Sequence, residues 1–568
     1  MHVLCQLRAL VGAIPRGSVR RESRRFLATT TRCRETQRDA LRRLLSLNSE
    51  SRFGRAHRFG EIRTTADFRK RLRVADYEAY RPYIEQLKLG DHEAMLGPGN
   101  RLLMFSLSSG TTSQSKFIPI TQQFLDDYRR GWQIWGIQTL DDYPGVNCRN
   151  IVQLSSDYDR FRTLGGTPCG NISGLVTAIQ KPIVRTMYTV PGIVSKISDS
   201  DAKNYTALRL AVADDNVGMV ITANPSTLIQ LAKIADAECE SLIRDIADGT
   251  LSPRYSVAED VRKKLHRRIS RPNRARARRL EQIIAETGRL FPRDYWPGMQ
   301  VVAVWTGGSA GAYLSSLRRF YGDVAMRDHG LSASEGRMTI PLRDNRSDGV
   351  LDVVTHFFEF IPEREHGCEN PTVLEAHELQ EGESYFILLT TSSGLYRYDI
   401  HDVVQCTGFC GTTPMLKFLH KGAHIANVTG EKVSESQVVT AVCNSVEQMQ
   451  IHLKHFTVSP VWGEPPRYQL LAEEQDVLSP SVGEELADHV DRQLQQLNCE
   501  YREKRQSGRL ASLKWLPLPE GTWMRFAKKS QQKLGGSQEQ YKHPCLVPDM
   551  DFSARLVREF VMDQEAVA

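Results

Sequence analysis

Apolar residues recur at helical spacing over Arg38–Leu47, where Ala40, Leu41, Leu44 and Leu45 share one face, and this predicts an amphipathic helix. Thr64–Arg73 predicts a second helix with Thr65 as its N-cap. Thr121–Arg130 continues the helical pattern, as does Ser226–Ile234, which is entered through Asn224-Pro225-Ser226. Between these stretches stand short apolar runs: Leu102–Ser106, Ile151–Leu154, Val217–Thr222, Val301–Trp305, His356–Ile361 and Tyr385–Thr390. Runs of this length, rich in branched and aromatic residues, read as strands. Their alternation with helices predicts an α/β fold with mixed sheets, flanking helices and loops at the strand ends.

From about Pro414 the texture changes. A strand at Leu416–Leu419 leads into a polar loop, Lys421–Asn427, followed by helix Ser434–Asn444, strand Arg467–Leu471 and helix Gly483–Asn498. This predicts a small α+β domain over 416–568, attached to a large domain over 37–415 and preceded by a basic segment, 1–36. The 568 residues fit two to four core-forming units. No run of about 18 apolar residues occurs, so no membrane span is expected.

Composition narrows the class. The chain is 40% hydrophobic and 25% charged, with a mean hydropathy of −0.39. That excludes disordered, collagen-like and membrane-embedded proteins. The net charge of +7 is local: residues 1–34 carry eight arginines against one acid, Glu22, and Arg262–Arg279 carries ten Lys and Arg with no acid, leaving −10 on the rest. The second patch reads as solvated helix faces split at Pro272, with Leu265, Ile269, Leu280, Ile283 and Ile284 turned inward. No aromatics interleave it, so a nucleic-acid partner is not expected. Eleven scattered cysteines form no CxxC pair, and Cys406 and Cys410 have no second pair to complete a zinc site. Reduced thiols in a cytoplasmic monomer are the expectation. The Arg-rich N-terminus reads as a basic surface helix or tail starting near Arg20–Phe26, with a mitochondrial transit segment the minor alternative.

Three loops carry candidate chemistry. Phe105–Thr121 reads FSLSSGTTSQSKFIPIT: a strand ends, Ser108, Ser109, Gly110, Thr111 and Thr112 follow, then Lys116. Hydroxyls, free backbone N–H groups and one lysine suit a polyphosphate, and the glycine lets the backbone approach it. The Walker A pattern is absent. The second loop is Ser332-Ala333-Ser334-Glu335-Gly336. A hydroxyl beside a carboxylate can hold a phosphate oxygen and Mg²⁺ together, although such strings also cap helices. In the third, GLYRYDIHDVV over Gly394–Val404, Asp402 can accept both hydroxyls of a ribose, or the segment is a hairpin with an exposed acid.

The order of these loops, followed by a small domain, is the layout of adenylate-forming enzymes of the firefly-luciferase-like superfamily. More closely, the chain resembles the auxin-responsive promoter family of acyl-acid amido synthetases from about Gln37 to Pro548. The resemblance rests on Phe68-Arg69, Tyr77-Glu78, the SSGTT loop with its lysine, Trp296-Pro297, Trp305-Thr306-Gly307-Gly308 and Ala333-Ser334-Glu335-Gly336. It continues through Phe357-Phe358-Glu359-Phe360-Ile361-Pro362, Leu395-Tyr396-Arg397-Tyr398, Gly430-Glu431-Lys432 and Gln540-Tyr541-Lys542.

The resemblance implies a large adenylate-forming domain with a mobile C-terminal lid, and a two-step ligase using ATP and Mg²⁺. A small carboxylic acid becomes an acyl-adenylate, and an amine, as a rule an amino acid, displaces AMP. Carried over by position, Ser108–Thr112 and Lys116 hold the ATP phosphates. Ser334, with Ser332 and Ala333 beside it, touches the α-phosphate, Glu335 binds Mg²⁺, and Asp402 takes the ribose. Lys421 stands where the family often has a hinge arginine, and Lys542 fits the lid lysine that enters the site during adenylation. Gln114, Leu331, Asp399 and His401 depart from the family pattern. Leu331 stands where many relatives place an aromatic against adenine, and Asp399 and His401 replace a common Arg and Gly. Two alternatives follow: an adenylating ligase with another acceptor such as coenzyme A, and a nucleotide-binding relative that has lost catalysis. The acyl pocket is expected near the nucleotide, with the loop Gly165–Ser173 a candidate wall. His401 and His424 are candidates for deprotonating the amine.

Overall fold

In a computed structural model of the chain, the residues described are 11–108, 116–422, 425–426, 428–429, 431, 433–477, 479–534 and 541–560. The first predicted helix runs over Cys33–Leu47 and buries Ala40, Leu41, Leu44 and Leu45. The second runs over Thr65–Arg71, and its N-cap is Thr64 rather than Thr65. Thr64 is extended (φ −127°, ψ 162°) and forms a capping box with Asp67, whereas the Thr65 hydroxyl donates outward to Glu375 at 2.7 Å. Thr121 caps a 21-residue helix, Gln122–Asp142, and Asn224 caps Pro225–Ala237.

The strands assemble into three sheets in the large body. β1 (Leu102–Ser108) pairs antiparallel with β2 (Lys116–Thr121) and parallel with β5 (Pro168–Gly170), which β4 (Phe161–Arg162) flanks. A second, all-parallel sheet has the order β3 (Asn150–Gln153), β6 (Val217–Ile221), β7 (Val301–Ala303), β8 (Ala325–Arg327). All five residues of β6 are buried, as expected of a strand covered on both faces. Then comes a small hairpin, β9 (Ser332–Ala333) with β10 (Gly336–Arg337). The largest sheet has seven strands in the order β11 (Thr339–Ile340), β12 (Asp348–Leu351), β17 (Thr413–Lys421), β16 (Tyr398–Cys410), β15 (Ser384–Thr390), β13 (Phe357–Pro362), β14 (Leu374–Glu375). The strand read at Leu416–Leu419 is thus part of β17, hydrogen-bonded to β16 from Thr413 to Lys421.

Beyond Lys421 lie β18 (Ile425–Ala426) with β19 (Val433–Ser434), and a sheet of β20 (Phe456–Val461), β21 (Arg467–Glu473) and β22 (Lys514–Leu518). Helices Glu435–Met449 and Pro480–Leu497 cover it. Val438, Val442, Val458, Leu470, Leu486, Val490 and Leu494 form a core of its own there.

The basic N-terminal segment starts a helix at Ala13, earlier than Arg20, with Pro15 in the first turn where no backbone donor is lost. This helix lies on Gln122–Asp142: Phe26 is 1% exposed in the cluster with Ile134 and Trp135, and Arg20 grips Asp141 at 2.6 Å. The helix Cys33–Leu47 passes position 36 without a break. The second basic patch forms helices Glu259–Ile269 and Arg274–Thr287, with Asn273, just after Pro272, as the second N-cap. Leu265, Ile269, Leu280 and Ile283 are buried, and Ile284 packs against the same cluster. Among the described residues no helix is long and apolar enough to cross a membrane.

Candidate active site

The candidate residues come from the β1–β2 pair, the β9–β10 hairpin, the β16–β17 pair and the C-terminal unit. Ser108 and Lys116 sit opposite each other in the β1–β2 register, so the phosphate-loop candidate leaves and re-enters the sheet at one point. Ser109, Gly110, Thr111 and Thr112 lie outside the described residues, as does Gln114. Lys116 Nζ is 5.6 Å from the centre of the Tyr77 ring.

Ser332 and Ala333 form β9, and Ser334 and Glu335 are the two-residue tip of its hairpin with β10. The string is therefore a turn and not a helix cap. Gly330 makes the approach possible. Its φ is +85°, and a Cβ there would stand 2.3 Å from the Thr339 carbonyl. Ser334 Oγ accepts from Ser106 Oγ at 3.1 Å, which leaves its own proton free to donate. Ser106 pairs with Gly170 across β1 and β5, so the end of the Gly165–Ser173 loop lies beside Ser334. Glu335 is 7% exposed, and among the described residues no side chain hydrogen-bonds its carboxylate. Burial raises its pKa and Asp402 adds to this, while Lys421 and Lys116 pull it down.

Asp402 and Lys421 face each other across β16 and β17. Lys421 Nζ donates to Asp402 Oδ1 at 2.5 Å and to the Ile400 carbonyl at 3.2 Å. Burial works against the lysine's charge, but Asp402 outweighs it and holds the pKa above its ordinary value. Asp402 is 5% exposed. It is not the exposed hairpin acid, and among the described residues no side chain hydrogen-bonds its second carboxylate oxygen.

Lys542 rides on a strap laid beside β20. The Val458 amide donates to the Cys545 carbonyl at 2.8 Å, and the Val547 amide donates to Val458 at 3.0 Å. Glu435 accepts from the Cys545 amide at 2.9 Å. The strap is tied to the body by Asn224, which donates to the Tyr541 carbonyl at 2.7 Å. Lys542 Nζ lies 4.5 Å from the centre of the Trp305 ring. The residue is exposed, yet the protein packed around it lowers its pKa, helped by Lys421 and opposed by Asp402 and Glu435. Lys116, Glu335, Asp402, Lys421 and Lys542 thus converge from separate elements, and each except Lys116 has its pKa or its partner's set by another of the group.

From sequence alone Trp305 has no role beyond its motif, and Asp328 is not singled out. Trp305 Nε1 donates to the Gly330 carbonyl at 3.2 Å, which sets an indole beside Leu331. Asp328 accepts from Thr306 N and Oγ1 and from Gly330 N, each at 2.6 Å. Burial pushes its pKa up to about 6 against those bonds. The signal available was a buried-type acid flanked by Arg327 and His329 directly after a strand. His424 lies outside the described residues.

Three family models match the chain in succession: the GH3 family N-terminal domain over residues 22–326, the central domain over 349–421 and the C-terminal domain over 436–551. The chain is similar to indole-3-acetic acid-amido synthetase GH3.3 of Arabidopsis thaliana, 22% identical over 545 residues, covering 92% of this chain and 91% of the relative. It is also similar to jasmonoyl–L-amino acid synthetase JAR4 of Nicotiana attenuata, 23% identical over 547 residues and covering 92% and 93%. The solved structure of GH3.15 acyl acid amido synthetase superposes with a TM-score of 0.80 at 20% identity, covering 94% of each chain, and so shares the fold. Matched in order from residue 22 to residue 551, the chain belongs to the GH3 family, the family of acyl-acid amido synthetases whose motifs its sequence carries.

Proposed function

We propose that the protein is an ATP-dependent acyl-acid amido synthetase. One oxygen of a small carboxylic acid attacks the α-phosphorus of ATP and expels pyrophosphate. The amine of an amino acid then attacks the acyl carbon, AMP leaves with the bonding electrons, and the amine proton is lost to give the amide. The observation that carries this reading is the convergence of Lys116, Glu335, Asp402, Lys421 and Lys542 on one cleft.

Ser108–Thr112 and Lys116 hold the β- and γ-phosphates. Ser334, whose oxygen is occupied by Ser106, donates its proton to the α-phosphate. The residues fit Mg²⁺: Glu335 is a buried carboxylate with no side-chain donor among the described residues, and Mg²⁺ is bound by one or two carboxylates plus phosphate oxygens. When bound, the ion neutralises phosphate charge. Asp402 takes the ribose through the oxygen Lys421 leaves free. Lys542 supplies positive charge to the phosphates while the lid is down, where preorganised charge contributes most to the barrier. The division between body and lid falls after Lys421, with the basic segment counted in the body. The described cysteines are all free, which fits the reduced thiols of a cytoplasmic protein.

Pyrophosphate release measured against a panel of carboxylic acids, with and without amino acids, tests the reading. Acid-dependent release with amide formed only on adding an amine supports it. A thioester on adding coenzyme A instead moves the protein to the other ligase class. Nucleotide binding without turnover marks a relative that has lost catalysis.

A further inference from the structure

At the start of β16, Asp399 and His401 meet a third ligating side chain. His366 follows the turn after β13, and its Nε2 lies 2.9 Å from Asp399 Oδ2. His401 Nδ1 lies 3.4 Å from the same oxygen. The three ligating atoms are all within 4.8 Å of one another.

The cluster is held in place on each side. Asp399 is 5% exposed, and its Oδ1 accepts the His401 amide at 2.7 Å, which aims Oδ2 at the two imidazoles. His366 stacks on Phe386 with ring centres 3.5 Å apart and planes 13° from parallel. His401 has φ +57°, a left-handed conformation that is unfavourable for a non-glycine residue and persists only where surroundings fix it. Here its carbonyl accepts the Gly422 amide at 2.7 Å. A Cβ on Gly422 would stand 2.4 Å from the Phe386 ring, so the glycine lets this packing close.

We propose that His366, Asp399 and His401 form a binding site for a divalent transition metal of the zinc class, distinct from Glu335, with water completing the shell. The donor chemistry selects the ion: two imidazole nitrogens and one carboxylate oxygen suit Zn²⁺ and its neighbours, whereas Mg²⁺ takes oxygen donors. Tetrahedral zinc with bonds of about 2.0–2.1 Å separates its ligand atoms by about 3.4 Å; Asp399 Oδ2 stands 3.4 Å from His401 Nδ1, at that figure, and 2.9 Å from His366 Nε2, a little inside it. The Asp399 carboxylate bonded to a backbone amide is the kind of outer support that orients metal ligands. Lys421 senses Asp399 but is itself paired with Asp402. The ion fastens the turn after β13 to β16, directly under the Gly422 amide where the chain leaves the large sheet. This assignment does not depend on the proposed reaction.

The test is calorimetric titration of the full-length, chelator-stripped protein with ZnCl₂ alone, beside His366→Gln and His401→Gln. The wild type is expected to bind one equivalent more than either variant. Co²⁺ is expected to give visible absorption in the wild type that both variants lose. Equal stoichiometry in all three proteins, or a cobalt spectrum unchanged by the substitutions, overturns the site. A wild-type measurement keeps the test independent of variant folding. Diethylpyrocarbonate labelling of His366 and His401, read by mass spectrometry, is expected to be blocked by Zn²⁺, and full labelling at saturating Zn²⁺ equally overturns it.

Discussion

Trp305→Leu separates the role of Lys542 from that of the rest of the cleft. The indole does two things: its ring faces the ammonium at 4.5 Å, and its Nε1 donates to Gly330. A cation over an indole contributes ~1 kcal/mol when part of the site is open to water, and the lysine is in that situation. The lost hydrogen bond contributes a further ~1 kcal/mol. Together about 2 kcal/mol of positioning disappears, which is roughly a 30-fold fall in the rate of the step Lys542 serves. In the proposed arrangement that step is adenylation, followed as the pre-steady-state burst of pyrophosphate. Conversion of a pre-formed acyl-adenylate to amide does not use Lys542 in this arrangement and is expected to change less than about threefold. A wild-type burst in the variant, or an equal fall in both half-reactions, would refute the reasoning.

Other expectations follow from the same geometry. Glu335→Gln removes the carboxylate charge proposed to hold Mg²⁺ and is expected to lower pyrophosphate release by about a hundredfold or more. Because burial already disfavours that carboxylate's charge, the melting temperature should not fall, and full activity would sink the metal assignment. Gly330→Ala puts a methyl 2.3 Å from the Thr339 oxygen at a φ of +85°; a loss of roughly 2–4 kcal/mol is expected in urea unfolding, and an unchanged midpoint would count against the hairpin geometry. His543 is buried against the Phe456 carbonyl at 2.9 Å, and burial, with His455 adding to it, pushes its pKa down to about 3. The folded state keeps it neutral while the unfolded chain takes a proton below about 6.5, so its contribution is complete above that pH and is lost as pH falls toward 3. At about pH 5 the loss is roughly 2 kcal/mol, and His543→Gln should lose that much less stability than the wild type between neutral pH and that point. Parallel pH profiles would show that the ring is not held neutral.

Many of the helices were legible because each buries one face at a regular spacing, and the strands because they are short apolar runs, several of them buried on both faces. The six strands read from short apolar runs all occur, within a few residues of their expected ends. β7 stops at Ala303, before Trp305, although the Val304 amide still donates to Arg327 of β8 and the Trp305 amide to Ala223 just past β6. The third loop was harder. A period of two over GLYRYDIHDVV conceals the positive φ of Arg397 and His401. The pairing of β16 with β17 shifts register twice, so no count along the chain places Asp402 opposite Lys421. The residues with charge were found from their motifs, whereas Trp305 and Asp328 act through contacts to Lys542 and Gly330 that arise only when distant segments fold together.

Transfer of a heavy-oxygen label from the carboxylic acid tests adenylation most directly. With both carboxylate oxygens labelled, the acid oxygen that attacks the α-phosphorus leaves on AMP when the amine displaces it. The account predicts AMP carrying one labelled oxygen for each amide formed. Unlabelled AMP, or ADP with the label in inorganic phosphate, would contradict it.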